Sequence, residues 1–141
     1  MQVVLDTNIL ISGLFFGGKP AYIVELVFTR KITPCFTVTT WQELERVLAH
    51  PKFARQRANL SFDISDFLIH LEACVHIFPA PEKVVNIIPE DPADNQILAC
   101  AVMAEVACIV SGDQHLRSLG RFHAIPIFTP DQFLKWYGTK K

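Results

Sequence analysis

The sequence predicts a three-layer α/β/α sandwich with a mostly parallel central sheet, and three observations predict it. Short apolar runs alternate with segments of helical period, giving a β-α-β-α rhythm along the chain. Those runs are too apolar to be half-solvated hairpin strands, so both faces of the sheet they form must be covered. Half of the 141 residues are apolar and eleven are Phe, which supplies a proper core and excludes disorder. One domain over residues 1-141 is expected at this length, with no repeat, low-complexity tract or linker to divide it.

Taken in order, Val3-Val4-Leu5 is a buried strand that ends at Asp6. Gly13, Gly17, Gly18 and Pro20 punctuate the next stretch, and a helix is expected from about Pro20 to Arg30. Thr33 to Val38 is a second strand. Thr40 then opens a helix that places Trp41, Leu44 and Leu48 on one face, and Pro51 ends it or starts the next turn. A helix from about Phe62 to Ala73 leads to a strand at Cys74 to Phe78, and Pro79, Pro81 and Pro89 mark an irregular connection. Asp94 begins a long helix reaching about Glu105. Ala107 to Val110 is a strand followed by Ser111-Gly112-Asp113; Gly120 closes a short helix from Gln114; Ile125 to Phe128 is the last strand before a helix near Pro130.

The formal net charge of -1 gives no bulk attraction to nucleic acid or to an anionic membrane, so any polyanion must be held by a local basic patch or a bound cation. Cys35, Cys74, Cys100 and Cys108 form no C-x-x-C pair and lie in or beside apolar runs, as small buried hydrophobes in a reducing compartment do. The first residues carry no basic segment and meet a carboxylate at position 6, unlike a signal peptide. The longest nearly apolar stretch, Ile97 to Val110, contains Glu105 and is too short to span a bilayer. A cytoplasmic protein without a membrane segment is the expectation.

In parallel sheets, ligands bind beyond the carboxyl ends of the strands. Asp6 and Asp113 both stand at such ends, so both are candidates for one cleft. Singly, each acid has an ordinary explanation. Asp6-Thr7-Asn8 fits an Asx turn or helix N-cap. Thr40-x-x-Glu43 fits a capping box, with Glu43 reaching back to the Thr40 amide. Asp91 before Pro92 fits an N-cap, and Asp94 a first-turn acid favoured by the macrodipole. Asp94 also shares a helix face with Leu98 and Ala101, which must pack inward. His115 is within reach of a site at Asp113, although a lone histidine is more often a surface or capping group, and no Cys/His spacing supports zinc. Together the acids say more. Unit charges about 4 Å apart repel by roughly 4 kcal/mol at an effective dielectric near 20, so clustered carboxylates need a cation. Oxygen ligands suit Mg²⁺ or Mn²⁺, which bind phosphate oxygens and activate water.

The ordered set Asp6-Thr7-Asn8, Thr40-x-x-Glu43-Leu44, Asp94-x-x-Ile97-Leu98-Ala99-x-Ala101 and Ser111-Gly112-Asp113-x-x-Leu116 resembles the PIN-domain family over nearly the whole chain. The form with Asp91-Pro92-x-Asp94-Asn95 and Ser-Gly-Asp is similar to bacterial and archaeal PIN proteins described as toxin components of toxin–antitoxin pairs. The resemblance implies an endoribonuclease using Mg²⁺ or Mn²⁺, with Asp6, Glu43, Asp94 and Asp113 as its acidic site. Asp6 and Asp94 would bind the metal directly and Asp113 directly or through water, while Glu43 would orient the attacking water or a second ion. Thr7, Asn8 and Ser111 would orient the carboxylates by hydrogen bonds. Asp91, an extra acid, would share or replace the role of Asp94.

RNA contact must come from outside an acidic centre. Arg46, Lys52, Arg55 and Arg57 form the best basic cluster, which would position phosphates without reading sequence or else be a solvated helix face. Phe15, Phe16 and Phe53 would mark a homodimer or antitoxin interface if exposed. Three other readings compete. A haloacid-dehalogenase-type phosphatase needs an acid where Asn8 stands. A receiver domain needs a late Lys that Ile125 to Pro130 lacks. The third is a PIN-like module that binds RNA or a partner without cleavage; all four acids are present, so the sequence carries no mark of lost activity and does not exclude this reading.

Overall fold

The computed structural model describes residues 1–140. Its elements run β1 (Gln2–Leu5), α1 (Thr7–Phe15), α2 (Gly18–Phe28), β2 (Thr33–Thr37), α3 (Val38–Leu48), a 3₁₀ turn (Pro51–Phe53), α4 (Ala54–Ala58) and α5 (Ile64–Glu72). They continue β3 (His76–Phe78), α6 (Pro92–Ala104), β4 (Cys108–Val110), α7 (Gln114–Leu119), β5 (Arg121–Phe122), β6 (Ile125–Phe128) and α8 (Pro130–Gly138). The sheet has six strands in the order β3-β2-β1-β4-β6-β5. All neighbours pair parallel except β5, which lies antiparallel on β6. An α/β sandwich with a mostly parallel sheet is what the apolar, two-sided strands require.

Strand alternation divides the interior into two cores. Val3 and Leu5 of β1, Phe36 of β2 and Cys108 and Val110 of β4 face a layer that includes Ile23, Leu44, Leu71 and Phe133 from α2, α3, α5 and α8. Val4, Cys35, Ile109 and Ile127 face the other way, against Leu98, Cys100 and Ala101 of α6 and Leu116 of α7. The period of two in the strands thus meets helices on both sides. Burial pushes the Cys35 thiol up to about 11 and those of Cys100 and Cys108 to about 12, and all four cysteines are free. No single helix among the described residues is long and apolar enough to cross a membrane.

Three local features differ from the sequence expectation. Residues 7–15 form a helix, although Gly13 suggested a break. A Cβ at Gly13 would meet Val24 Cγ2 at 2.5 Å and the Pro20 carbonyl oxygen at 2.7 Å, so this glycine lets α1 and α2 cross in contact. The α3 cap is Thr37 rather than Thr40. The Thr37 hydroxyl accepts from the Thr40 amide (3.1 Å) while the Thr37 amide donates to Thr40 Oγ1 (2.9 Å), which takes Glu43 out of the capping box. Finally, β5 and β6 form a hairpin whose turn, His123-Ala124, has φ of 50° and 64°, the pair of positive values a tight two-residue turn demands.

Candidate active site

Because β1, β4 and β6 are parallel and in level register, with Leu5 opposite Val110 and Val110 opposite Phe128, their carboxyl ends share one rim. The Asp6 amide donates to the Val110 carbonyl (2.9 Å) and the Ser111 amide to the Phe128 carbonyl (2.9 Å), carrying the ladder one residue past each strand. These bonds fix Asp6 and the Ser111-Gly112-Asp113 turn side by side. Above them lies a cleft of about 260 Å³ whose lining includes Asp6, Thr7, Asn8, Glu43, Asp91, Asp94 and Asp113. None of the described lining residues is Lys or Arg.

Asp6 occupies the N-cap position of α1 but makes no cap hydrogen bond of normal geometry to the first turn. Its Oδ2 instead accepts from the Ser111 hydroxyl (2.8 Å), and Ser111 Oγ in turn accepts from the Asp113 amide (2.9 Å). Ser111 is fully buried, so one hydroxyl ties the ends of β1 and β4 together. Burial pushes the Asp6 carboxyl up; the Ser111 hydroxyl and the nearby Asn8 amide oppose that, and the charges of Asp113 and Asp91 add to it.

Asp94 enters from α6. Asp91 caps that helix, its Oδ1 accepting from the Ala93 amide (3.0 Å), and Pro92 follows at the first helical position. Asn95 fastens the preceding loop, accepting from the Ile87 and Ile88 amides (3.0 and 2.8 Å) and donating to the Ile88 carbonyl (2.8 Å). Asp94 is thereby held inward, only 4% exposed, with Oδ2 buried and without a hydrogen-bond partner. Burial, then the adjoining Asp113 carboxyl, then the charges of Asp91 and Asp6 push its carboxyl up to about 8. Buried acceptors are normally satisfied, so an orphan oxygen among like charges is the feature to be explained. Gln96 Oε1 is a second buried, unpartnered oxygen among the cleft residues.

Asp113 caps α7, its Oδ1 accepting from the His115 and Leu116 amides (2.8 and 3.3 Å). Glu43, on α3, also lines the cleft. It is clamped by Arg46, whose Nε and Nη2 donate to its two oxygens (3.0 and 2.6 Å). Thr7 is buried and Asn8 exposed at the cleft. The structure therefore gathers Asp6, Asp94, Asp113 and Asp91, with Glu43 lining the same cleft.

The basic cluster is partly committed elsewhere. Arg57 Nη1 donates to the Leu48 and His50 carbonyls (2.7 and 2.8 Å), closing the end of α3, and Lys52 lies over the Phe53 ring, 5.2 Å from its centroid. Arg55 is exposed. Phe15 and Phe53 pack together with centroids 5.3 Å apart, partly buried against the core, and Phe16 beside them is 62% exposed. His115, only weakly indicated by sequence, stands two residues past Asp113 at the start of α7. The Asp-x-His spacing at a strand end was the available signal.

The carboxylate set fits a hard divalent cation: oxygen donors converge from two strand ends and one helix start, and one buried donor atom lacks any partner. No curated protein matches the chain. The fold is similar to the solved structure of the PIN domain endonuclease Utp24, with a TM-score of 0.51 and 19% identity over 91% of this chain and 84% of that one. A family model described as a PIN domain matches residues 2–115, most of the chain and every acid of the cleft. The chain belongs to the PIN-domain family.

Proposed function

We propose that this protein is a divalent-metal-dependent endoribonuclease. The observation that carries the reading is Asp94: a buried carboxylate with an unpartnered oxygen, set among Asp6, Asp91 and Asp113 at a cleft lined by no described cation. Such an arrangement is costly unless a positive charge enters. Asp6, Asp94 and Asp113 would hold Mg²⁺ or Mn²⁺, and Asp91 adds negative charge beside them. When bound, the ion supplies charge neutralisation at a phosphodiester and acidifies water.

The chain's own groups do the rest. Ser111 orients Asp6 and fixes the Asp113 turn through its two hydrogen bonds. Thr7 and Asn8 shape the floor of the cleft at the start of α1. Glu43, held by Arg46, orients the attacking water. Lys52 and Arg55 are the phosphate contacts outside the acidic centre, since Arg46 and Arg57 already hold Glu43 and two carbonyls. The motif Asp91-Pro92-x-Asp94-Asn95 with Ser111-Gly112-Asp113 supports a toxin role in a toxin–antitoxin pair, in the cytoplasm, with the exposed Phe16 on the face that meets a second copy or an antitoxin.

The test is cleavage of single-stranded RNA by purified protein with Mg²⁺ or Mn²⁺. Cutting is expected with either ion and is expected to stop with EDTA. Cleavage indifferent to EDTA overturns the metal mechanism. RNA bound but never cut, with either ion present, leaves a silent binding module.

A further inference from the structure

Two of the cleft aspartates, Asp94 and Asp113, have a nitrogen donor beside them. Asp94, Asp113 and His115 each offer a ligand atom, and those atoms lie within 4.8 Å of one another. His115 Nδ1 is 3.7 Å from Asp113 Oδ1, beyond hydrogen-bond distance and an ion pair only when the ring is protonated, so the neutral imidazole makes no hydrogen bond to that carboxylate. Its backbone is nevertheless fixed. The His115 amide donates to Asp113 Oδ1 (2.8 Å), and the Asp113 amide to the buried Ser111 (2.9 Å), which also holds Asp6. The side chain is 49% exposed, at the start of α7 beside the cleft residue Asp113. The independent sign that something binds here is Asp94 Oδ2, buried and unpartnered within the same group of donors.

An imidazole changes which ion such a site prefers. Mg²⁺ is served by oxygen donors and retains its waters, whereas nitrogen ligands favour the first-row transition ions, whose affinities for a given site rise from Mn²⁺ onward. We propose that His115 is a metal ligand, making this a mixed nitrogen–oxygen centre that selects a first-row transition ion over Mg²⁺. The proposal rests on the reading of the cleft as a metal site and goes beyond it by naming the nitrogen donor and the class of ion.

Mn²⁺ is the probe, bound to the full chain and followed by electron paramagnetic resonance, with Mg²⁺ as competitor. Wild type is expected to show ¹⁴N modulation from a coordinated imidazole and to prefer Mn²⁺. His115→Gln is expected to lose the modulation and at least about tenfold in Mn²⁺ affinity, with Mg²⁺ affinity little changed and the melting temperature retained. Asp94→Asn should lose both ions. Mn²⁺ bound without ¹⁴N modulation, or a preference unchanged in His115→Gln, overturns the proposal while loss of binding in Asp94→Asn keeps the metal site. Failure of wild type to bind Mn²⁺ at all overturns both.

Discussion

Helices α6 and α8 begin alike and treat the acid in their first turn in opposite ways. Asp91 caps α6 and Thr129 caps α8; Pro92 and Pro130 come next; Asp94 and Asp131 complete the first turns. The macrodipole favours an anion equally in both places. Asp131 is half-exposed and meets Lys19 from α2 and Lys135 from its own helix, which hold its carboxyl below the usual carboxylate range. Asp94 is buried against Asp113, Asp91 and Asp6 and is pushed up to about 8. The difference lies in what surrounds each helix start. The start of α8 faces cations on the surface, whereas that of α6 faces the carboxyl ends of β1 and β4, where other acids converge. Local sequence sets an acid's place on its helix; the tertiary rim decides whether it is a surface ion-pair partner or a site.

The sharpest way to break this comparison is to neutralise Asp94. Asp94→Asn is expected to lower RNA cleavage by at least about a hundredfold, the scale seen when a preorganised electrostatic contact is removed from a site. In the same variant, metal-free protein should melt higher than wild type at pH 8, because a buried charge without a counter-ion has gone. An activity loss with a lower melting temperature would mean that Asp94 serves packing, as an ordinary buried residue does.

The next largest effect is on pH. Asp94 titrates near 8 in the folded chain and at about 4 when unfolded. Between those values the folded state binds more protons than the unfolded one, so the stability this group contributes is full below about pH 4 and is lost as pH rises through 8. Asp6, also raised, acts in the same direction. Thermal melts of metal-free protein should therefore fall across this range, and Asp94→Asn should flatten the fall. Mn²⁺ should stabilise most at high pH, where the carboxylates are charged. A metal-free profile that rises from pH 5 to 8 would contradict the cluster.

Much of this rim was legible in the sequence, for a physical reason. Val3-Val4-Leu5 and Cys108-Ile109-Val110 are apolar on both faces, so they had to be interior parallel strands, and Asp6 and Ser111, immediately past their carboxyl ends, had to lie at one edge of the sheet. Asp91-Pro92 likewise announced the start of α6. The features that were not legible depend on distances between elements. Gly13 looks like a break until α2 is known to press against it. Thr37-x-x-Thr40 and Thr40-x-x-Glu43 both satisfy a capping pattern, and only the end of β2 selects the first. Arg57 looked like a phosphate contact but reaches back to carbonyls at the end of α3. The spacing to Asp113 put His115 within reach of the rim, but its approach to Asp94, 21 residues away on α6, is a tertiary distance.

Ser111 sharpens the comparison from the other side, because it is the neutral group that makes the acidic rim tolerable. Ser111→Ala leaves the Asp6 carboxylate and the Asp113 amide each without this partner, and a buried polar group so orphaned costs about 1–3 kcal/mol. A loss of stability in that range by urea denaturation is expected, together with weaker Mn²⁺ binding from a loosened Asp6. Unchanged Mn²⁺ affinity would show that Asp6 is positioned by β1 alone.

The smallest effect is expected at α8, and its smallness is the point. Asp131→Asn removes an acid that already has two lysines, on the surface, where solvent and salt screen the attraction. Its carboxyl is held low, so the stability it contributes is present above the unfolded value near 4 and fades as pH falls through the folded one, opposite in sign to Asp94. The variant should keep full cleavage and Mn²⁺ binding, melt within error of wild type or slightly below it at neutral pH, and lose even that difference in high salt. If Asp131→Asn instead raised the melting temperature of metal-free protein as Asp94→Asn is expected to, the two helix starts would be electrostatically equivalent. Burial at the strand ends would then not be what sets Asp94 apart.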